Sequence, residues 1–269
     1  MIKEFMDTIK NRAGLQGPII KSERTLFQGN FNHTEIYKDS LNNEFIVRRM
    51  NPEGRLVEIP RIEAEYKGVG FLSNPNNSVF YRTYLQQAKT AHDLQEVGIP
   101  VIMPRVTTEN FQIIDFFHNS MNLTESWLHN HPKASEYTTL MLDELRNAHK
   151  KGMLLGDRRG GNELILENGT FKFIDFDIGI AGPEAREFDV AGFFYFIAHK
   201  VHIGNNERLP ELLITLRKFL HSDEVKNNYN WPLLISYIKR YYNYFENDGF
   251  YRFDTSDQNK RFVTALLEE

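Results

Sequence analysis

The hydrophobic pattern of this chain changes character once, near residue 120, and that single change limits the possible architectures most. Before it, short β-rich runs dominate. "TLFQGNFNHTEIYKDS" (25–40) reads as strand, glycine-containing turn and strand, and "NNEFIVRRM" (42–50) as a third strand after an Asn-Asn turn. "VFYRTYLQQAKTAHDLQEVG" (79–98) reads as one helix, with Leu85, Ala88, Ala91, Leu94 and Val97 at helical spacing and Gly98 as its stop. "IPVIMPRVTTENFQIIDFF" (99–117) supplies two more strands around a polar turn, while within 51–78 only "RIEAEYKGVGFL" suggests a short helix. From Thr124 onward helices take over, at about 135–151, 188–202, 209–220, 231–246 and the C-terminal end. Strands grouped first and helices second predict an α+β protein. Its parts would be a small antiparallel-sheet lobe over 1–117, with a helix at 79–97, and a mainly helical lobe over 118–269, with a cleft at the seam.

Composition removes several function classes. The chain has 269 residues, enough for a substantial core, and ordinary hydrophobic (41%) and charged (25%) fractions. Its net charge of −4 argues against a nucleic-acid partner, because binding a phosphate backbone needs a basic surface. No apolar run approaches the ~18 residues that cross a bilayer, so no transmembrane segment is expected. No secretory h-region opens the chain, which makes cytoplasmic residence the expectation. Cysteine is absent, which removes disulfides and thiolate metal sites.

Polar chemistry concentrates in "MLLGDRRGGNELILENGTFKFIDFDIG" (153–179). "GDRRGGN" is too rich in glycine and charge for a helix, so Asp157 and Asn162 share a loop in which both side chains can converge on one point. Two apolar strands joined by Asn168-Gly169 follow as a tight hairpin that returns Asp175 beside the loop. A carboxylate and a carboxamide oxygen are hard ligands suited to Mg²⁺, which takes one or two carboxylates plus substrate phosphates. A second carboxylate outside the metal's shell can orient and deprotonate a hydroxyl. Phosphoryl transfer needs that division of labour, since its catalysis is mostly positioning and charge neutralisation. Asn162 and Asp175 are therefore the candidate metal ligands, and Asp157 the candidate base.

The stretch resembles the catalytic core of the protein-kinase-like superfamily: an Asp, an Asn five residues later, and a metal-binding Asp that opens a D-F-x motif. Here these are Asp157, Asn162 and Asp175-Phe176-Asp177. "HKKGMLLGD", "FIDFD", the "GIP" before the fourth strand and "REFDVAGF" are similar to the atypical branch. That branch holds aminoglycoside and choline phosphotransferases, RIO-type kinases and bacterial lipopolysaccharide-sugar kinases. The resemblance spans roughly residues 25–200 and implies a two-lobed kinase-like fold, ATP and Mg²⁺ as cofactors, and γ-phosphate transfer to a hydroxyl acceptor.

It implies further roles. Arg159 would neutralise charge on the phosphoryl group or stand as a solvated loop cation. Gly29 would sit in the phosphate-covering turn, and Arg48, with Arg49 next door, would replace the strand lysine of the family. Asp115, Phe116 and Phe117 would form the connector whose backbone reads adenine. Counting back from "VGIP" puts Gln87 where an ion-pairing Glu is usual, with Glu63 or Glu65 as other sources of that charge. Asp177 is either a second metal contact or an exposed strand-end charge, while His149 and Asp189 brace the loop. Only about a dozen residues separate "DFD" from Asp189 and no "APE" follows, which favours a small-molecule or sugar acceptor over a protein hydroxyl. The competing expectation is a nucleotide-binding pseudokinase or scaffold with weak or no catalysis.

Overall fold

The N-terminal region is a five-stranded antiparallel sheet in the computed structural model, which describes residues 10, 13–15, 18–23, 31–247 and 256–268. Its centre is β2 (Asn32–Lys38) paired with β3 (Glu44–Met50), in register from Asn32↔Met50 to Lys38↔Glu44. Phe45 and Val47 turn to one face of the sheet and are buried there with Ile113, while Ile36, opposite Ile46 in the register, is buried on the other face. Asp39 closes the hairpin by accepting from the Leu41 and Asn43 amides, and Asn42 takes the left-handed backbone that such a turn needs. β1 (Ile20–Lys21) edges β2, while β6 (Phe111–Asp115) and β5 (Val106–Thr107) complete the other side in the order β1-β2-β3-β6-β5. Gly29 and the strand expected just before it lie outside the described residues.

Residues 51–81 differ most from the sequence expectation. A 17-residue helix, α1 (Pro52–Gly68), replaces the short one at 61–72. Asn51 starts it by accepting from the Gly54 amide, and Pro52 presets its first turn. The helix expected at 79–97 is shorter than its periodicity suggested. Ser78–Tyr81 is strand β4, paired antiparallel with β10 (Ile178–Ala181), and the helix, α2, is Tyr84–Glu96. Thr83 and Gln86 form a capping box at its start. Its buried face is Tyr84, Gln87, Ala91 and Leu94, with Leu85 turned out to solvent.

Beyond residue 120 the chain is mostly helical: α3 (Leu123–Leu128), α4 (Ala134–Lys150), α5 (Ala185–Gly204), α6 (Leu209–Leu220), α7 (Asp223–Asn228), α8 (Trp231–Asn247) and α9 (Ser256–Leu267). The six-residue α3 and α7 are too short to show a helical period in sequence. A three-stranded sheet of β7 (Met121–Asn122), β8 (Glu163–Ile165) and β9 (Phe171–Phe173) sits against α3 and α4, and β8 and β9 are the hairpin turned at Asn168-Gly169. Helix α5 is buried along most of its length and runs through the core. Its Phe188 and Tyr195 pack on Tyr237 and Tyr241 of α8, as expected of these aromatic helices. The architecture is α+β, sheet first and helices second. Among the described residues no helix is long and apolar enough to cross a membrane.

One core group makes stability depend on pH. His199 stacks on Tyr195 at 5.7 Å, and burial, with His202 and Lys200 adding like charge, pushes its imidazolium pKa down from 6.5 to about 4. Between these values the unfolded chain binds a proton that the folded chain refuses, so stability is full above pH 6.5 and falls toward pH 4. Urea unfolding should show a loss of about 2 kcal/mol from this group between pH 7 and pH 5. His199→Gln should remove most of that loss; an unchanged pH dependence in the variant would contradict the assignment.

Candidate active site at the seam

The loop 156–162 leaves α4 and runs into β8, with both site aspartates in strained backbone. Asp157 (φ 39°) and Asp175 (φ 58°) are left-handed, and the other described non-glycine residues with positive φ are asparagines in turns. Such strain persists only where the surroundings impose it, and it gathers at functional sites. Gly156 precedes Asp157 at φ 63°, and a Cβ there would stand 2.6 Å from the Ile178 carbonyl. Only glycine lets the loop pass this close to β10.

Arg158 fastens the loop to the D-F-D turn. Its Nε donates to the Gly156 carbonyl at 2.6 Å, Nη1 to the carbonyls of Asn162 and Ile174 at 3.1 Å each, and Nη2 to that of Asp175 at 2.5 Å. Glu163 stands 3.6 Å behind it, and neither side chain is exposed. Burial raises the Glu163 carboxyl to about 7 even with Arg158 beside it. From the helical side, Asp189 Oδ2 accepts from the Leu155 and Gly156 amides at 3.3 Å each and lies 3.1 Å from His149 Nε2. The other ring nitrogen of His149 is 2.9 Å from the Tyr229 hydroxyl. His149 and Asp189 thus brace the loop from below.

Asn162 donates from Nδ2 to the Asp157 carbonyl at 3.0 Å, which directs its Oδ1 away from that contact. The Ile174 amide donates to the Asn162 carbonyl at 3.0 Å, so Asn162 and Asp175 spring from adjacent, hydrogen-bonded segments. Asp175 gives Oδ1 to Arg48 at 2.9 Å and keeps 30% of its side chain exposed. Burial alone would raise its carboxyl; Arg48 outweighs this and holds it below the usual range. One carboxamide and one carboxylate oxygen, both partly exposed, fit a Mg²⁺ ion that keeps water and phosphate oxygens as its remaining ligands.

Asp177 is buried beside Asp175, and Arg48 Nη2 reaches both carboxylates. Asp177 Oδ2 accepts from Asn32 at 2.7 Å and from Arg48 at 3.3 Å, and its Oδ1 accepts from Gln87. Burial, with Asp175 nearby, pushes this carboxyl up to about 7. Both oxygens already have protein donors, so Asp177 ties the sheet and α2 to the D-F-D turn and does not open onto the seam. Gln87 is buried there too, donating also to the Arg82 carbonyl at 3.3 Å.

The remaining residues fall into two groups. Arg159 donates from Nε to Asp157 Oδ1 and from Nη2 to buried Glu65 at 3.1 Å, and its guanidinium lies 4.0 Å over the Phe196 ring. Glu65 therefore serves Arg159 and not Arg48, while Glu63 is exposed. At the end of β6, Asp115 pairs with Arg105, the Phe116 amide donates to the Glu44 carbonyl at 3.3 Å, and the Phe117 carbonyl accepts from Ser120 at 2.8 Å. These three lie along the sheet from Arg48 and away from the Asp157 group: Asp115 is opposite Phe45, and Arg48 opposite Gln112.

Sequence reasoning missed Arg55, Arg82, Tyr84 and Glu163. Arg82 donates to the Phe176 and Ile178 carbonyls at 3.1 and 2.8 Å, clamping the D-F-D turn opposite Arg158. The Tyr84 hydroxyl donates to Asn32 Oδ1 at 2.7 Å and so aims the Asn32 amide at Asp177. Arg82 and Tyr84 were hidden inside the overlong helix; the Thr83-x-x-Gln86 capping signature marks the boundary. No family model and no curated protein matches this chain, so the geometry of the seam carries its functional reading.

Proposed function

We propose that this chain is a phosphotransferase of two-lobed, kinase-like architecture that moves the γ-phosphate of ATP, with Mg²⁺, to a hydroxyl acceptor, small molecule or sugar in preference to protein. The observation that carries this reading is the gathering of Asp157, Asn162 and Asp175 on one backbone frame, locked by Arg158. A scaffold has no use for three such groups on a strained, doubly clamped loop.

The roles follow from the contacts. Asp157 Oδ1 is held by Arg159, and Oδ2 has only a long 3.5 Å approach from Asn162, which leaves Oδ2 to orient the acceptor hydroxyl. As the hydroxyl oxygen bonds to the γ-phosphorus and the bond to the ADP oxygen breaks, Asp157 accepts the released proton. Arg159, confined by Glu65 and Phe196, fixes the Asp157 carboxylate and acts through it. Asn162 and Asp175 would hold the Mg²⁺ ion, which when bound neutralises charge on the phosphate oxygens. Arg48 is the buried cation beside them. Asp115 lies three residues along the β3 register from Arg48, about 10 Å, a span that suits adenine at the connector and phosphates at the turn.

ADP release in the presence of ATP and a panel of hydroxyl compounds tests the proposal. Release that requires Mg²⁺ and stops with chelator is the expected result; none under any condition would refute it. A second reading, a nucleotide-binding scaffold, is favoured by one observation: Asp157 and Asp175 each already carry an arginine of this chain. That reading predicts a higher melting temperature with ATP and no ADP release.

A further inference from the structure

Asp177 gathers side chains from four elements: Asn32 of β2, Arg48 of β3, Arg55 of α1 and Gln87 of α2. Three of these hydrogen-bond to it. Arg55 does not. Its guanidinium stops 3.8 Å from Asp177 Oδ1 and lies 5.6 Å over the ring of Phe31, with only 12% of the side chain exposed. Its Nε and Nη2 are sealed from solvent, yet neither finds a hydrogen-bond partner among the described residues. Leaving charged donors buried and unmet is costly, so their persistence points to a partner that arrives from outside the chain.

The geometry says what that partner is. Nε and Nη2 share one edge of the guanidinium, the edge that grips two oxygens of a single tetrahedral or planar anion. Arg48 approaches the other oxygen of the same Asp177 carboxylate, so the two guanidiniums are neighbours at the D-F-D turn. A single carboxylate satisfies one fork. A chain of linked phosphates offers oxygens to both. Glu65 is committed to Arg159, and Arg55 places a second cation beside Arg48.

We infer that Arg55 binds the polyphosphate chain of the nucleotide, forming with Arg48 a two-guanidinium clamp that Asp177 holds in place. This rests on reading the seam as a nucleotide site. Calorimetric titration of the full chain with inorganic tripolyphosphate and with ATP, both with Mg²⁺, tests it in the wild type, Arg55→Gln and Arg55→Lys. The clamp predicts that wild type binds both ligands. Arg55→Gln should bind each at least tenfold more weakly, and its ligand-free melting temperature should equal or exceed that of wild type, because two buried donors without acceptors are gone. Arg55→Lys, which keeps the charge but loses the fork, should weaken tripolyphosphate binding several-fold, and it decides the matter should Arg55→Gln not fold. Unchanged affinity in the variants, with wild type binding ATP, overturns the clamp alone. A wild type that binds neither ligand overturns the clamp and the nucleotide reading together. A lowered ligand-free melting temperature with unchanged affinity assigns Arg55 a structural role.

Discussion

Asp157→Asn is expected to slow Mg²⁺- and ATP-dependent ADP release by about 10²–10⁴-fold, the range over which a positioned general base contributes. The substitution keeps the shape of the side chain and leaves an oxygen for Arg159, while Glu65 continues to hold that arginine from α1 at 3.1 Å. The loop should therefore keep its place through Arg158 and Asp189, and nucleotide affinity should stay within a few-fold of wild type. A fall in turnover at constant affinity is the signature of an interaction made only in the transition state. Equal turnover in the two proteins would remove Asp157 from the chemistry.

The largest effect on stability is expected at Arg158. Its guanidinium supplies donors to four carbonyls of the loop and the D-F-D turn, and Glu163, the acid paired with it among the described residues, is fully buried. Arg158→Met should cost about 3–5 kcal/mol in urea unfolding, because it leaves four carbonyls without a donor and the buried Glu163 carboxyl without its cation. That is a large share of the roughly 5–15 kcal/mol that holds a typical domain together. The double variant Arg158→Met/Glu163→Met should regain part of the loss by removing the unpaired buried carboxyl. A double variant no more stable than the single one would show that the carbonyls, not the ion pair, dominate.

The plan of the fold was legible because its two periodicities occupy separate halves of the chain. The Asn168-Gly169 hairpin and the aromatic helices α5 and α8 could be placed from spacing alone. Boundaries inside 51–98 could not. The apolar residues of β4 run straight into those of α2, and α1 shows little amphipathic contrast because several of its inward residues, Glu58 and Glu65 among them, are charged. At the site, Asp157, Asn162 and Asp175 were visible as polar turn residues at informative separations. Their charge partners were not. Strand alternation sets Arg48 on the face opposite Phe45 and Val47, but the choice between an acid on α1 and Asp175 depends on where α1 packs. That packing delivers Glu65 to Arg159 across 94 residues of sequence, a contact no local pattern encodes. Asp177 is the same case. Its position in the motif was clear, and its four partners come from elements whose docking no periodicity predicts.

Mn²⁺ offers the most direct test of the seam as a metal–nucleotide site, since it takes the same hard oxygen ligands as Mg²⁺ and reports its own immobilisation by magnetic resonance. Wild type titrated with Mn²⁺ and ATP should immobilise one ion per chain, and Asn162→Ala and Asp175→Ala should each abolish most of the signal while still folding. Immobilisation of equal strength in wild type and both variants would mean that the ion, and the phosphates with it, bind somewhere else.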